Sequence, residues 1–362
     1  MRFRGVAASV YALVSFVSAL DAQGPSRRHN AIAGEVRLGR TILTLGDEDA
    51  ATPTTFGGIA SVALDKDGTI YVLDYGDNSI RVFDRRGRFV TRAGRPGRGP
   101  GDLAAPNRLL HDGDSTLYVT DEVNGVVVFR TGGGVLRHVR TFGADLRPRS
   151  ACVYRGGLVI GGYRDQRIFH FVSSNGEIVR SGGDPFPFRA PIQIKARVDT
   201  IVALRELANR ASVVLVCAEA DSLLIVAQAS GPGIRAYRAD GALAWEHQIP
   251  EYAGSTYFTD SRGAPIIAYG KDVTLAATLL DAQTLLVQFS HRETGSTGSG
   301  RTRRIVSRQL WLSSTVLDLR TGQVRSTSRS LPLLLAVRGP TAIEMEEEPF
   351  PLLRVRSIEG RK

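Results

Sequence analysis

Six histidines are the natural starting point for acid–base or metal chemistry in this chain: His29, His111, His138, His170, His247 and His291. No two stand at the short spacing that lets one helix present a pair of imidazoles to zinc. A metal would have to be assembled from distant segments, and of the six only His111 closes a strand-like run that could approach a shared axis of the fold. Asn107, four residues earlier, and Tyr154 are the other side chains such an axial site would recruit. Asp65-Lys66-Asp67-Gly68 invites calcium, but an EF-hand loop spreads its oxygen ligands over a dozen residues. Here Gly68 follows at once, which is turn chemistry, and Asp74, Asp77 and Asn78 read in the same way as side chains that tighten a strand connection. No Gly-x-Ser-x-Gly elbow or phosphate-binding loop occurs. The hydroxyls of Ser296–Ser299 lie in a Gly/Ser/Thr-rich stretch that would give a nucleophile no rigid support. We therefore assign no catalytic residue and no metal ligand.

Charge offers a second kind of chemistry. The chain of 362 residues carries a formal net charge of +10, almost all from arginine, because lysine occurs only at Lys66, Lys195, Lys271 and Lys362. Such a surface steers toward anions. Arg92, Arg95 and Arg98, with Arg301, Arg303 and Arg304, would make a basic rim, yet no aromatics are interleaved with them as a nucleic-acid stacking platform requires. Most arginines recur strand by strand, as expected of solvated strand faces. Glu344 to Glu348 (EMEEE) opposes this balance; a solvated strand or loop is its default reading, and an arginine or cation contact the alternative.

The elements that would position these groups are β-strands. With 43% hydrophobic and 23% charged residues the composition is that of an ordinary globular protein. Arg2 and Arg4 ahead of the apolar run Val6–Leu20, with small residues at Val17-Ser18-Ala19 and Ala22, read as a signal peptide over 1–22. Residues 23–34 read as a flexible segment. Cys152 and Cys217 each sit in an apolar strand and are expected to be two separate buried thiols, although an extracytoplasmic compartment permits a disulfide.

Ser61–Leu103 shows the strand signal most densely. Ile70–Leu73, Ile80–Phe83 and Phe89–Thr91 are separated by Asp67-Gly68, Gly76-Asp77-Asn78 and Arg86-Gly87, a meander of short antiparallel strands. Tyr71 and Tyr118 hold equivalent places 47 residues apart, and Val159 follows Tyr118 by 41, close to the roughly 40–50 residues of a propeller blade. Further units begin at Ala151, Ser212 and near Ile266. A sixth, Leu333–Ile358, has only three strands. A glycine turn follows the third strand in five units: Phe83 to Gly87, Phe129 to Gly132, Phe171 to Gly176, Tyr237 to Gly241, and Leu317 or Leu319 to Gly322. The orphan strand Glu35–Leu45 can supply the missing outer strand of the last unit. The predicted fold is all-β: a six-bladed β-propeller of four-stranded antiparallel blades over 35–362, closed by the N-terminal strand. Insertions are expected near 185–210, with a short helix capped by Asp199, and near 291–304 as a mobile loop.

Asp65-Lys66-Asp67-Gly68, Ile70-Tyr71-Val72-Leu73-Asp74, Asn78, Ile80, Phe83-Asp84 and the glycines of 94–101 resemble the NHL repeat. The second unit keeps Ala105-Pro106-Asn107, Leu117-Tyr118-Val119-Thr120-Asp121 and Phe129. The specific match spans roughly 58–142. It implies a six-bladed propeller similar to those of secreted bacterial proteins, a superfamily that holds binding modules as well as lyases and lactonases, so it does not settle the activity.

The expectation is an extracytoplasmic (periplasmic or secreted), non-catalytic binding or scaffold propeller. It would be a monomer with no transmembrane span after leader removal and no cofactor, engaging a protein, peptide or anionic glycan rather than nucleic acid. Asn107, His111, Tyr154, Arg92, Arg95 and Arg98 are its candidate binding residues. The alternative is a metal-dependent lactonase- or lyase-type enzyme using calcium or zinc, with Asn107, His111 and Tyr154 lining the central channel. The apolar innermost strands Ser212–Glu219 and Leu333–Arg338 speak for binding, because an enzyme of that kind needs a ring of polar ligands there.

Overall fold

The structure, a computed structural model, describes residues 36–48, 52–187, 212–252, 257–259, 265–267, 272–297 and 304–359. The leader, the flexible start, the helix expected at Asp199 and Arg301 and Arg303 lie outside these residues.

Strand β1 (Arg37–Leu45) precedes the first blade. Blade 1 comprises β2 (Ile59–Leu64), β3 (Ile70–Asp74), β4 (Ser79–Phe83) and β5 (Phe89–Ala93). Blade 2 comprises β6 (Pro106–His111), β7 (Thr116–Asp121), β8 (Gly125–Gly132) and β9 (Val135–Phe142). Blade 3 comprises β10 (Ser150–Tyr154), β11 (Gly157–Arg164), β12 (Arg167–Val172) and β13 (Ile178–Gly182). Blade 4 comprises β14 (Val213–Ala218), β15 (Leu223–Gln228), β16 (Gly233–Arg238) and β17 (Leu243–Gln248). A separate hairpin, β18 (Tyr257–Thr259) and β19 (Pro265–Ile267), comes next. Blade 5 is then β20 (Asp272–Leu279), β21 (Thr284–Thr297), β22 (Arg304–Asp318) and β23 (Val324–Ser328). Blade 6 is β24 (Leu333–Arg338), β25 (Thr341–Glu346) and β26 (Leu352–Glu359), with β1 as its fourth strand.

Each blade is an antiparallel meander, and β1 pairs with β26 from Arg37 opposite Glu359 to Leu45 opposite Leu353. The chain ends thus meet in one sheet, as the orphan strand predicted, and the ring has no open edge at its seam. The innermost strands β2, β6, β10, β14, β20 and β24 each touch the next and close the circle.

Period-two alternation explains why the middle strands read as continuous apolar runs. In β3, Ile70 and Val72 point toward blade 6, where they join Ile343, Leu353 and Val355. Tyr71 and Leu73 point the other way, toward Leu109, Leu117 and Val119 of blade 2. Both faces of such a strand are buried, so both must be apolar. Six clusters of this kind fill the six interfaces between blades. The outermost strands alternate instead between exposed and half-buried residues, and they carry Arg92, Arg137, Arg140, Arg180 and Arg325. Those side chains cover apolar surface while keeping their charge wet: Arg180 lies 4.0 Å from the Phe171 ring centroid. These faces hold part of the recurring arginine.

Gly87, Gly176, Gly241 and Gly322 turn third strands into fourth strands with φ between 71° and 89°, a region that glycine enters without steric cost. In blade 2 the positive φ falls on Gly133 and Gly134, not on Gly132.

Three expectations need correction. Cys152 and Cys217 are not separate thiols: they form a disulfide with Cα atoms 5.6 Å apart, because β10 and β14 are neighbours in the ring although 65 residues separate the cysteines. The stretch expected as a mobile loop near 291–304 is strand as far as Thr297 and again from Arg304, with β21 and β22 paired down to Thr297 opposite Arg304. Backbone hydrogen bonds carry that ladder irrespective of the Gly/Ser/Thr side chains. Ile266 belongs to the small hairpin, and blade 5 starts at Asp272.

Candidate functional site

Because every blade is a meander of four strands, all innermost strands run in the same direction and the ring has two distinct faces. The face on which they start receives the connections between blades and the turns between second and third strands. The other face carries the turns from first to second and from third to fourth strands.

On the first face, blades 1 and 2 repeat one device. Asp74, fully buried, accepts hydrogen bonds from Gly57 N and Gly58 N at 3.0 Å, where the chain enters its blade, and from Gly76 N at 2.9 Å in its own turn. Asp121 does the same for Ala104 N at 2.7 Å, Ala105 N at 3.0 Å, Val123 N at 2.9 Å and Asn124 N at 2.8 Å. Asn78 donates to the carbonyls of Leu103 and Ala104, and Asn124 to those of Gly97 and Asp102. The Gly/Arg-rich connection after blade 1 is therefore pinned at both ends. Within it Arg95 pairs with Asp102 at 2.9 Å, while Arg92 pairs with Asp77 at 3.0 Å. Arg98 is exposed and makes no ion pair among the described residues.

Asn107 lies near this face at the start of β6. Its Nδ2 donates to Pro148 O at 3.2 Å, and its Oδ1 accepts from Thr120 Oγ1. His111, at the other end of β6, belongs to the opposite face, about 13 Å along an extended strand. Its ring stacks on Tyr71 at 5.2 Å between centroids, and its Nδ1 accepts from Gly113 N at 2.9 Å. Burial holds its pKa below the ordinary histidine value, with Asp112 and Asp65 partly opposing. Tyr71 in turn donates to Asp65 Oδ2 at 3.2 Å, and burial beside Asp65 pushes the phenol up to about 12. Asp65 Oδ1 accepts from Asp67 N and Thr69 N at 2.9 Å, so this carboxylate is spent on its turn.

Tyr154 also ends on the second face, at the end of β10. It packs edge-on against Phe171 at 5.6 Å, and its hydroxyl is buried with no partner among the described residues. The six candidate binding residues thus separate, with Arg92, Arg95, Arg98 and Asn107 toward one face and His111 and Tyr154 toward the other. The acidic run is also engaged. Glu344 is buried and sits 3.3 Å from Arg354 and 3.0 Å from Arg356, and Glu346 meets Arg354 as well. The arginine contact describes Glu344 and Glu346, whereas Glu347 and Glu348 are exposed, as the solvated default expects.

Two features escaped sequence reasoning. The fully buried Asp272 opens β20 and contacts His291 Nδ1 across the ladder. His291 stacks on Trp311 at 4.1 Å with the rings 9° apart, and Arg329 caps Trp311 at 4.9 Å. A carboxylate orienting an imidazole is one part of an acid–base apparatus, but among the described residues no hydroxyl or thiol hydrogen-bonds to the other ring nitrogen. Blade 5 lacks the motif of blades 1 and 2, so only the strand register could have revealed the pair. The second feature is Arg108, which one arginine among many did not distinguish. Elsewhere a shallow cleft on the second face, lined by Asp221, Ser222, Arg238, Asp240 and Arg320, is bridged by Arg320 and Asp221 at 2.9 Å. Among the described residues no three of His, Cys, Asp and Glu converge as a metal site requires, and no helix is long and apolar enough to cross a membrane.

Residues 54–152 match the DUF5128 family, described as a 6-bladed beta-propeller. Similar solved structures include a Bacteroides fragilis NCTC 9343 protein named for its inferred export (12% identity, TM-score 0.52, covering 90% of this chain and 96% of that one). A duf4221 family member from Bacteroides vulgatus ATCC 8482 gives 10% identity and a TM-score of 0.52, with 91% and 100% covered. A protein of unknown function from Bacteroides thetaiotaomicron VPI-5482 gives 12% and 0.54, with 89% and 76% covered. No curated protein matches the chain. These likenesses and the closed ring of six four-stranded sheets agree on one architecture, and the chain is a six-bladed β-propeller.

Proposed function

We propose that the protein is an extracytoplasmic, non-catalytic binding propeller that engages a protein, peptide or anionic glycan on the face bearing the interblade connections. The observation that carries this reading is that the polar groups best placed for channel chemistry are committed to the fold. Asn107 spends its amide on Thr120 and Pro148, and His111 spends Nδ1 on Gly113 and its ring on Tyr71. Other innermost strands are mainly apolar, as in β14 (VVLVCA) and β24 (LLLAVR).

Export fits the leader-like start and the Cys152–Cys217 disulfide, a bond that persists in oxidising compartments. We read the mature chain as a monomer without a resident cofactor and blades 1 and 2 as NHL-like repeats, a reading supported by the matched clamps of Asp74 with Asn78 and Asp121 with Asn124.

Metal analysis of the purified exported protein, beside arrays of peptides and of neutral and acidic glycans, tests the proposal. Binding to one class of array ligand without stoichiometric metal is the expected result. Stoichiometric calcium or zinc that disappears in His111→Ala or Asn107→Ala would establish the lactonase- or lyase-type alternative instead. Mass spectrometry of the exported form checks the leader, and recovery of intact Met1 would refute its cleavage.

A further inference from the structure

The six innermost strands carry an acidic or basic side chain at only four positions: Arg108, His111, Asp272 and Arg338. Three of these are engaged. His111 accepts from Gly113, Asp272 meets His291, and Arg338 donates to Leu64 O at 2.9 Å. The side chain of Arg108 makes no hydrogen bond and no ion pair among the described residues. Burial depresses the pKa of its guanidinium, and no carboxylate opposes that shift. Yet the residue is only partly shielded from water, and none of its nitrogens is among the sealed, unsatisfied polar atoms. β6 is an innermost strand of the closed ring. A half-buried, unpaired guanidinium there stands at the wall of the central channel that such a ring encloses.

The surroundings favour an anion. Asp121, beside the register partner of Arg108, has its two oxygens occupied by four backbone N–H groups. Two further exposed guanidiniums, Arg98 and Arg147, make no ion pair among the described residues and stand on the connections that lead into β6 and β10. The bond from Asn107 to Pro148 ties the second of these connections to the residue preceding Arg108. A guanidinium offers five donors in a planar fork that matches an oxyanion, and unpaired positive charge at a channel mouth concentrates anions there.

We propose that Arg108 is the anchor of an oxyanion subsite in the channel, entered from the face that carries Arg98 and Arg147, and that it receives a carboxylate or phosphate group of the ligand. This rests on the binding reading above and names the ligand chemistry for it.

The test uses the exported full-length chain in a buffer free of polyvalent anions, with glucuronate and inorganic phosphate as probes. Thermal shift and calorimetric titration read binding, and phenylglyoxal labelling followed by peptide mass spectrometry reads the accessibility of Arg108. At least one probe raises the melting temperature and shields Arg108 from the label; a response to glucuronate alone assigns a carboxylate, and to phosphate alone a phosphate. Arg108→Met abolishes the response, and Arg108→Lys weakens it about tenfold, because an ammonium keeps the charge but loses the fork. Without anion, Arg108→Met melts no lower than the parent, since a partly buried cation with no compensating carboxylate does not stabilise the fold. Equal shifts in parent and Arg108→Met would place the binding elsewhere. No shift with either probe, or a large drop in melting temperature of Arg108→Met without anion, would make Arg108 a structural residue. Retained binding of a neutral array ligand by Arg108→Met would sink the anion subsite and leave the binding propeller standing. Stoichiometric metal would sink the non-catalytic reading while leaving the subsite intact.

Discussion

Cys152 and Cys217 join the innermost strands of blades 3 and 4 through a disulfide that spans 65 residues of chain. The bond crosses a blade interface already filled by Phe169, Leu215 and Val226. Its main effect is thus on the unfolded chain, where it closes a long loop. Chain-entropy reasoning puts that contribution at about 4 kcal/mol for a loop of this length. Urea unfolding of the oxidised protein should show a midpoint clearly above that of the reduced protein or of Cys152→Ser/Cys217→Ser. Coincident midpoints would show that the bond contributes nothing.

The buried carboxylate of Asp121 holds four backbone N–H groups from two segments. Hydrogen bonds to a charged group contribute about 1.5–3 kcal/mol each and are not additive, so Asp121→Ala should lose at least about 3 kcal/mol. Asp121→Asn, which keeps one acceptor oxygen, should lose less. Asp240 is the control: it is exposed and makes a single turn bond, to Ala242 N at 2.9 Å, and its removal should cost less than about 1 kcal/mol. Denaturant midpoints for the three variants decide the matter, and equal losses at Asp121 and Asp240 would refute the clamp.

What could be read from the chain was whatever repeats locally. The paired faces of β3 and β7 impose apolar runs, and the Asp and Asn of the second-to-third-strand turns recur because each blade entrance needs the same amides held. Those two blades were legible residue by residue. Beyond them only rhythm survives: Asp121 has no carboxylate counterpart at the end of β15, where Gln228 stands. Relationships that depend on which blades become neighbours were not legible. The disulfide and the contact between Asp272 and His291 are invisible until the ring is closed and the register known. Arg108 was hidden for another reason, since its meaning lies in the absence of a partner, and a sequence does not show partners.

Closure of the ring depends on one face of β1. Leu45 is buried against Ile343, Leu353 and Val355, whereas Ile42 on the same strand is 56% exposed. Leu45→Ala should cost about 2–4 kcal/mol through lost burial and the cavity left behind. Ile42→Ala should stay within about 0.5 kcal/mol of the parent. If the two variants unfold at the same urea concentration, the strand does not close the ring as described.

His111 sets a pH dependence whose sign follows from its surroundings. Its side chain is 1% exposed, and Nδ1 accepts the Gly113 N–H, a bond that protonation of Nδ1 would break. Asp112, 3.9 Å away, favours the charged form, but burial is the larger effect and the folded pKa lies below 6.5. With the folded value below the unfolded one, this contribution to stability is complete above pH 6.5. It is lost as the pH falls through the folded value, because the unfolded chain then binds the proton more readily. His111→Phe keeps a ring against Tyr71 and loses the acceptor. It should be less stable than the parent at pH 8, and the gap should narrow by pH 5. Imidazole resonances of the folded protein provide the direct reading, and a His111 that titrates above 6.5 would reverse the sign.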